Sequence, residues 1–250
     1  MKKILIFILA ILMFNFYGLK SYAQPVEFQK ITVKYLATAE DLLSIKDDES
    51  DIFILEKDID LNYLPWTPIE NFNKILDGDG YTIKNFNSNN LESALFKNIL
   101  EGGLIKNLTL EGIAEGVISA ANFAVSNFGT ISYCNGSSNI TSMQYAASIA
   151  IYNYGIISNC CNKGKIMAKK RCCGIATFNR ENGFISESLN TNEIDSNRNA
   201  AGVTCFNQGI IQKCENNGVI FAPYNAAGIN NLNLGYIQNC KNYEMIRASY

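Results

Sequence analysis

Six glycines, Gly103, Gly129, Gly155, Gly183, Gly209 and Gly235, recur at intervals of 26, 26, 28, 26 and 26 residues. A fixed period of this length limits the chain to repeat architectures more sharply than any motif could. The register extends well beyond the glycines. Two residues after each anchor stands Ile105, Ile131, Ile157, Ile185, Ile211 or Ile237. From Gly129 onward, five residues after the anchor comes Cys134, Cys160, Ser188, Cys214 or Cys240, and eleven after it Ile140, Ile166, Ile194, Ile220 or Ile246. Small pairs follow at seventeen and eighteen: Ala120-Ala121, Ala146-Ala147, Cys172-Cys173, Ala200-Ala201 and Ala226-Ala227. Phe123, Ile149, Ile175, Val203 and Ile229 hold the twentieth position, and Asn127, Asn153, Asn179, Asn207 and Asn233 close the units. Arg180 and Glu181 are the simplest choice for the two extra residues of the long unit.

Helical repeats need long apolar stretches at a spacing of three to four. Here the stretches between Gly, Asn and Ala-Ala are short and rich in Ile, Val, Phe and Tyr, the composition of strands broken by turns. The predicted fold is therefore all-β: a single right-handed parallel β-helix of 26-residue coils, equivalent residues stacked about 4.8 Å apart. Isoleucine above isoleucine makes a dry internal column. Asparagine above asparagine can pass amide hydrogen bonds from coil to coil, and Asn162, Asn190, Asn216 and Asn242 form a second such set. The anchor glycines are expected to supply positive φ at a corner. Before the repeats, Thr38 and Asp41 form a capping box for a short helix over 39–46 that should bury Leu42, Leu43 and Ile45 and cover the open N-terminal end. A strand follows over 52–55. This divides the chain into a signal segment (1–23), a cap (24–51), irregular first coils (52–102) and regular repeats (103–250). No capping segment is visible after the last repeat, so end-to-end association through that coil is one expectation.

Pieces such as Ala201-Gly202-Val203, Asn207-Gln208-Gly209-Ile210-Ile211-Gln212-Lys213-Cys214 and Ala227-Gly228-Ile229 resemble the GLUG-type repeats of bacterial surface proteins. The entry segment is similar to the usual approach to such regions: Thr38-Ala39-Glu40-Asp41-Leu42, Trp66-Thr67-Pro68-Ile69 and Leu76-Asp77-Gly78-Asp79-Gly80-Tyr81. The resemblance covers nearly all of the expected mature chain. It implies a pectate-lyase-like β-helix of the kind found on adhesins and other large exported proteins. Some members carry a separate zinc peptidase domain; this chain has no His and hence no HExxH. It also departs from the pattern by often using Ala-Gly or Ala-Ser where a Gly-Gly pair is typical.

Lys2 and Lys3, the apolar run 4–14 and the small residues of Ser21-Tyr22-Ala23 have the three-part layout of a secretory signal, with cleavage expected after Ala23. Asn15 interrupts the run short of a bilayer span. The expected location is secreted or cell surface. A net charge of −2 gives no sign of a nucleic-acid binder. The missing His removes the commonest general base and metal ligand together.

Candidate sites follow from what remains. Cys134, Cys160, Cys214 and Cys240 share one slot, and the expectation is a column of small, reduced, buried thiols. The alternative is a pair of disulfides, Cys134–Cys160 and Cys214–Cys240. Cys160-Cys161 and Cys172-Cys173 lack zinc-site spacing, and Cys172-Cys173 fills an Ala-Ala slot. The acids Asp47, Asp48, Glu49, Asp51, Asp58, Asp60, Asp77 and Asp79 read first as turns and solvated faces, with a structural calcium as the alternative. Lys163, Lys165, Lys169, Lys170 and Arg171 give one coil a basic edge, either solvated or a weak polyanion site. Tyr145, Tyr152, Tyr154, Tyr224 and Tyr236 are candidates for sugar or protein contact. No catalytic residue, cofactor or metal is assigned. The functional expectation is a non-catalytic surface module for binding, adhesion or spacing, with a host or environmental glycan or protein as ligand. The alternatives are a polysaccharide-active β-helix enzyme and the repeat region of a larger surface enzyme.

Overall fold

The computed structural model describes residues 30–248. The expected signal segment lies outside the described residues. Strand β1 (Val33–Leu36) runs parallel to β2 (Ile52–Leu55), and between them sits α1 (Ala39–Ser44), extended by one 3-10 turn over Ile45–Asp47. The capping box forms: Asp41 N–H donates to Thr38 Oγ1 at 3.1 Å, and Thr38 N–H donates to Asp41 Oδ2 at 2.9 Å. Leu42 and Ile45 enter the core. Leu43 does not, contrary to the expectation from the sequence; it is 41% exposed.

The first turn continues through β3 (Ile59–Asp60) and β4 (Ile69–Phe72), the second through β5 (Ile75–Asp77), β6 (Thr82–Ser93) and β7 (Phe96–Ile99). β8 (Leu104–Lys106) and β9 (Thr109–Ala120) follow in the third. In later coils the long strand equivalent to β9 breaks into three short pieces, such as Asn135–Gly136, Asn139–Ser142 and Tyr145–Ala147. Every pairing between coils is parallel and offset by one repeat. One face is a nine-stranded sheet from β1 to Tyr236–Gln238, and another is a seven-stranded sheet from β4 to Asn230–Asn233. The expected parallel β-solenoid of roughly 26-residue coils is the observed architecture.

The repeated slots become columns. Ile105, Ile131, Ile157, Ile185, Ile211 and Ile237 are successive register partners. Ile105 to Ile211 are fully buried, and Ile237 packs partly exposed in the last coil. Each fully buried isoleucine contributes about 1.5–3 kcal/mol. The closing asparagines form a directed amide ladder inside the stack. Asn127 Nδ2 donates to Asn153 Oδ1 at 2.8 Å, Asn153 to Asn179 at 2.8 Å, Asn179 to Asn207 at 2.7 Å and Asn207 to Asn233 at 2.7 Å. The second set repeats the device from Asn162 to Asn190 (2.7 Å), Asn216 (2.6 Å) and Asn242 (2.6 Å).

The anchor glycines are needed for a different reason from the one expected. None of them has positive φ. Instead they lie against the preceding coil: a Cβ on Gly209 would sit 2.0 Å from Gly183 O, and one on Gly155 2.2 Å from Gly129 O. The left-handed backbone falls four residues after each anchor, at Asn107, Tyr133, Asn159, Glu187, Lys213 and Asn239. Asparagine is the residue type other than glycine that best tolerates this region, and it fills three of those six positions.

Candidate functional site

Five of the eight acidic residues named in the entry coils, Asp48, Asp51, Asp58, Asp60 and Asp77, are occupied as structural acceptors, whereas Asp47 is exposed 4.0 Å from Lys46. Asp48 pairs with Lys34 at 2.8 Å, Asp58 with Lys84 at 2.6 Å and Asp77 with Lys106 at 2.7 Å. Asp51 accepts from Thr32 N–H and Oγ1, and Asp60 from Asn62 N–H and Asn85 Nδ2. Asp77 Oδ1 accepts from Asp79 N–H, closing the expected Asp77–Gly80 turn. Among the described residues no three His, Cys, Asp or Glu side chains gather as a metal site.

These bonds hold several carboxyls below their ordinary value near 3.8: Asp48 chiefly through Lys34, Asp58 through Lys84, Asp51 through Thr32 N–H and Asp60 through Asn62 N–H. At Asp77 burial pushes upward, but Lys106, Asp79 N–H and Asn107 together outweigh it. A carboxyl depressed in the folded state adds stability above its unfolded pKa and loses it as pH falls toward the folded one. Because these groups cluster in the entry coils, acid should open that end first. At pH 3 pepsin is expected to cut within 30–100 while 103–220 stays intact by mass spectrometry. Cleavage spread evenly along the chain would contradict this.

The five basic residues do not form one free edge. Lys163 and Lys165 precede the strand Ile166–Ala168, and Lys169, Lys170 and Arg171 follow it. Lys165 pairs with Glu193 at 2.9 Å, Lys170 Nζ donates to Gln144 Oε1 at 2.9 Å, and the Arg171 guanidinium lies 5.4 Å from the Phe178 ring centre. Among the described residues Lys163 and Lys169 have no ion-pair partner.

Outside the main core runs a crease where the Ala-Ala corner meets the seven-stranded sheet. Ala94, Ala121 and Ala147 face Val125 and Ile151 there, with Tyr145, Tyr152, Phe178 and Phe206 packed alongside. Tyr152 stacks on Phe178 (5.0 Å, 11°), and Tyr145 meets Phe178 edge-on (5.3 Å, 82°). Arg180, from the two-residue insertion, lies over Tyr152, Phe178 and Phe206 at 5.5, 5.0 and 5.9 Å. These ring faces are spent on one another and on arginine, so this ladder acts as a cross-coil zipper and leaves little face for a sugar. Tyr224 is exposed and lies near Arg198, and Tyr236 is exposed. The crease also holds a feature that sequence reading missed: Cys173 is bonded to Cys205 of the next coil, 32 residues on. Cys172 alone fills the interior small-residue slot.

The remaining cysteines are free thiols, including Cys134, Cys160, Cys214 and Cys240 of the shared slot. Burial raises the pKa of Cys134 and Cys172. Cys214 is raised by its hydrogen bond with Cys240 and then by burial, while the same bond lowers half-buried Cys240 to about 7. Iodoacetamide at pH 8 should therefore label Cys240 first, with the rate rising through pH 7. Cys134, Cys160, Cys172 and Cys214 should react only after unfolding. Intact mass of the denatured, unreduced protein should show six labels. Four labels would mean a second disulfide.

One outward groove, of about 510 Å³, crosses several coils. Its floor is a register column, Glu115, Thr141, Met167 and Asp195, flanked by Val117, Met143 and Lys169. Val117, Met143 and Met167 are 55%, 49% and 42% exposed, an unusual concentration of apolar side chain in water. Glu115 Oε2 accepts from Asn89 Nδ2 at 3.3 Å. Glu115 and Asp195 stand three coils apart, about 14 Å along the stack at 4.8 Å per coil. Sequence reading missed this groove because its residues differ in type from coil to coil.

No family model and no curated protein matches the chain. Two solved structures are similar to it. One is a candidate immunoglobulin A1 protease from Bacteroides ovatus, with TM-score 0.69 and 16% identity, covering 86% of this chain and 76% of that one. The other is an IgA1 protease, with TM-score 0.66 and 15% identity, covering 86% of this chain but 20% of that one. At these identities, what the chain shares with both is the β-solenoid fold.

Proposed function

We propose that this chain is an exported, non-catalytic presenting module, of the GLUG-repeat kind that its motifs resemble. Its rigid stack holds the groove over Met143 and Met167 as the ligand-facing surface. The observation that carries this reading is the groove's chemistry. Its two acidic positions, Glu115 and Asp195, stand three coils apart, about 14 Å along the stack, a wider stagger than the ~5–9.5 Å between the carboxyls of paired-acid glycosidases. Met143, Met167 and Val117 supply its exposed apolar surface, and the flexible methionines adapt to a partner's shape. Binding to arrayed glycans and immobilised matrix proteins is expected to weaken at least tenfold in Met143→Asp with Met167→Asp. Incubation with polygalacturonate or another acidic glycan should release no unsaturated product. Depolymerisation lost on Glu115→Gln or Asp195→Asn would overturn the reading in favour of a polysaccharide enzyme.

A second reading is the repeat region of a larger surface enzyme. It draws support from the similar IgA1 protease, in which the matching part is 20% of the chain. The last described coil, with Leu234, Tyr236 and Tyr243 exposed, could then meet further coils or a second copy end to end. Light scattering across a concentration series tests the second copy: a constant monomer mass rules it out.

A further inference from the structure

We propose that the free edge of β4 captures an extended polypeptide segment of a partner protein as an added parallel strand. β4 ends the seven-stranded sheet, so among the described residues one of its sides has no strand neighbour. Backbone groups in a parallel ladder turn alternately to either side. Ile69 N–H turns inward, donating to Leu95 O at 3.1 Å, and this directs Glu70 N–H to the open edge.

A groove of about 560 Å³ runs beside that edge. One wall is Trp66, Pro68 and Ile69; the other is α1 and its following turn, with Leu43 and Lys46. The Trp66 indole N–H is tied to Leu95 O at 3.0 Å, which fixes that wall. Leu43 stands 41% exposed opposite it, although the rest of the helix's apolar side is buried. The combination selects the occupant. A strand offers alternating carbonyls and N–H groups at the ladder's own spacing and drops every second side chain into an apolar notch. It would continue the interface that already joins β4 to β7, residue Ile69 to Phe96 and Asn71 to Asn98. The charges add direction: Glu70 is engaged with Lys97 at 3.3 Å, whereas among the described residues Lys46 reaches only its exposed neighbour Asp47 at 4.0 Å, so the groove favours an acidic residue near the helix wall.

Trp66 is the chain's single tryptophan and reports on this site alone. The probe is an acetylated and amidated hexapeptide alternating valine and threonine with one glutamate, titrated into the full chain while Trp66 emission is followed. Saturable change in emission is expected. N-methylating alternate amides should weaken binding at least tenfold, as should Glu70→Pro, which removes the edge donor. Leu43→Asp should weaken it similarly, and because Leu43 is exposed the fold should be preserved by circular dichroism. Binding that is indifferent to N-methylation and to both variants would overturn the proposal, as would no emission change at millimolar peptide. The site is separate from the methionine groove, so Met143→Asp should leave this titration unchanged.

Discussion

Asn179→Leu should lower the thermal midpoint by about 10–15 °C, while Asn233→Leu, on the same ladder, should lower it by only about 2 °C. Asn179 is fully buried; it accepts from Asn153 Nδ2, donates to Asn207 Oδ1 and also reaches Gly183 O at 3.1 Å. Leucine fills the space but strands one N–H of Asn153 Nδ2, which keeps Gly155 O at 3.2 Å, and the Asn207 Oδ1 acceptor, both inside the stack. At about 1–3 kcal/mol for each buried group left unpaired, the loss comes to about 2–6 kcal/mol. Asn233 lies exposed in the last coil, where water can replace it, and Asn207 Nδ2 keeps Gly209 O at 3.3 Å. Calorimetry on the two variants reads the difference directly. Equal shifts would mean that the ladder adds nothing beyond side-chain volume.

Gly209→Ala should cost about 3 kcal/mol or more, at the upper end of overpacking penalties. Its Cβ would meet Gly183 O at 2.0 Å and Arg180 O at 2.5 Å, and both are backbone atoms of the coil beneath. Relief requires the coils to part, yet the Asn179–Asn207 bond at 2.7 Å holds them together close by. Gly102→Ala is the control. Gly102 has φ +83 with nothing within 4 Å of a Cβ, so only backbone strain of about 1–2 kcal/mol applies. Urea midpoints should rank wild type, Gly102→Ala and Gly209→Ala in falling order. If Gly102→Ala were the worse, the anchors would act through torsion and the close-approach account would fail.

The fold was legible because a solenoid returns each slot to the same surroundings. Ile157 and Ile185 are alike in sequence because they are alike in environment, and the two asparagine ladders could be read for the same reason. Local chemistry broke the pattern where two slots meet. Cys173 and Cys205 stand eighteen and twenty-two residues after successive anchors, so a search along single columns does not pair them. The left-handed column carries Tyr133, Glu187 and Lys213 beside its asparagines, which hides a conformation usually marked by glycine. Leu43 reads as core by its apolar character, but a six-residue helix on the end of a stack has one covered side. The methionine groove left no periodic trace, because outward positions such as Glu115, Thr141 and Met167 are free to differ from coil to coil.

The central claim is that units 26–28 residues apart in sequence lie one strand spacing apart in space. Paired spin labels on the outward column test it: Asn89 with Met167, with Asp195 and with Phe221, which lie three, four and five coils away. Pulsed dipolar spectroscopy should give distances near 14, 19 and 24 Å, about 5 Å added per coil. Distances that fail to rise in even steps, or that scatter beyond about 40 Å, would contradict the stacked register on which the ladders and the groove depend.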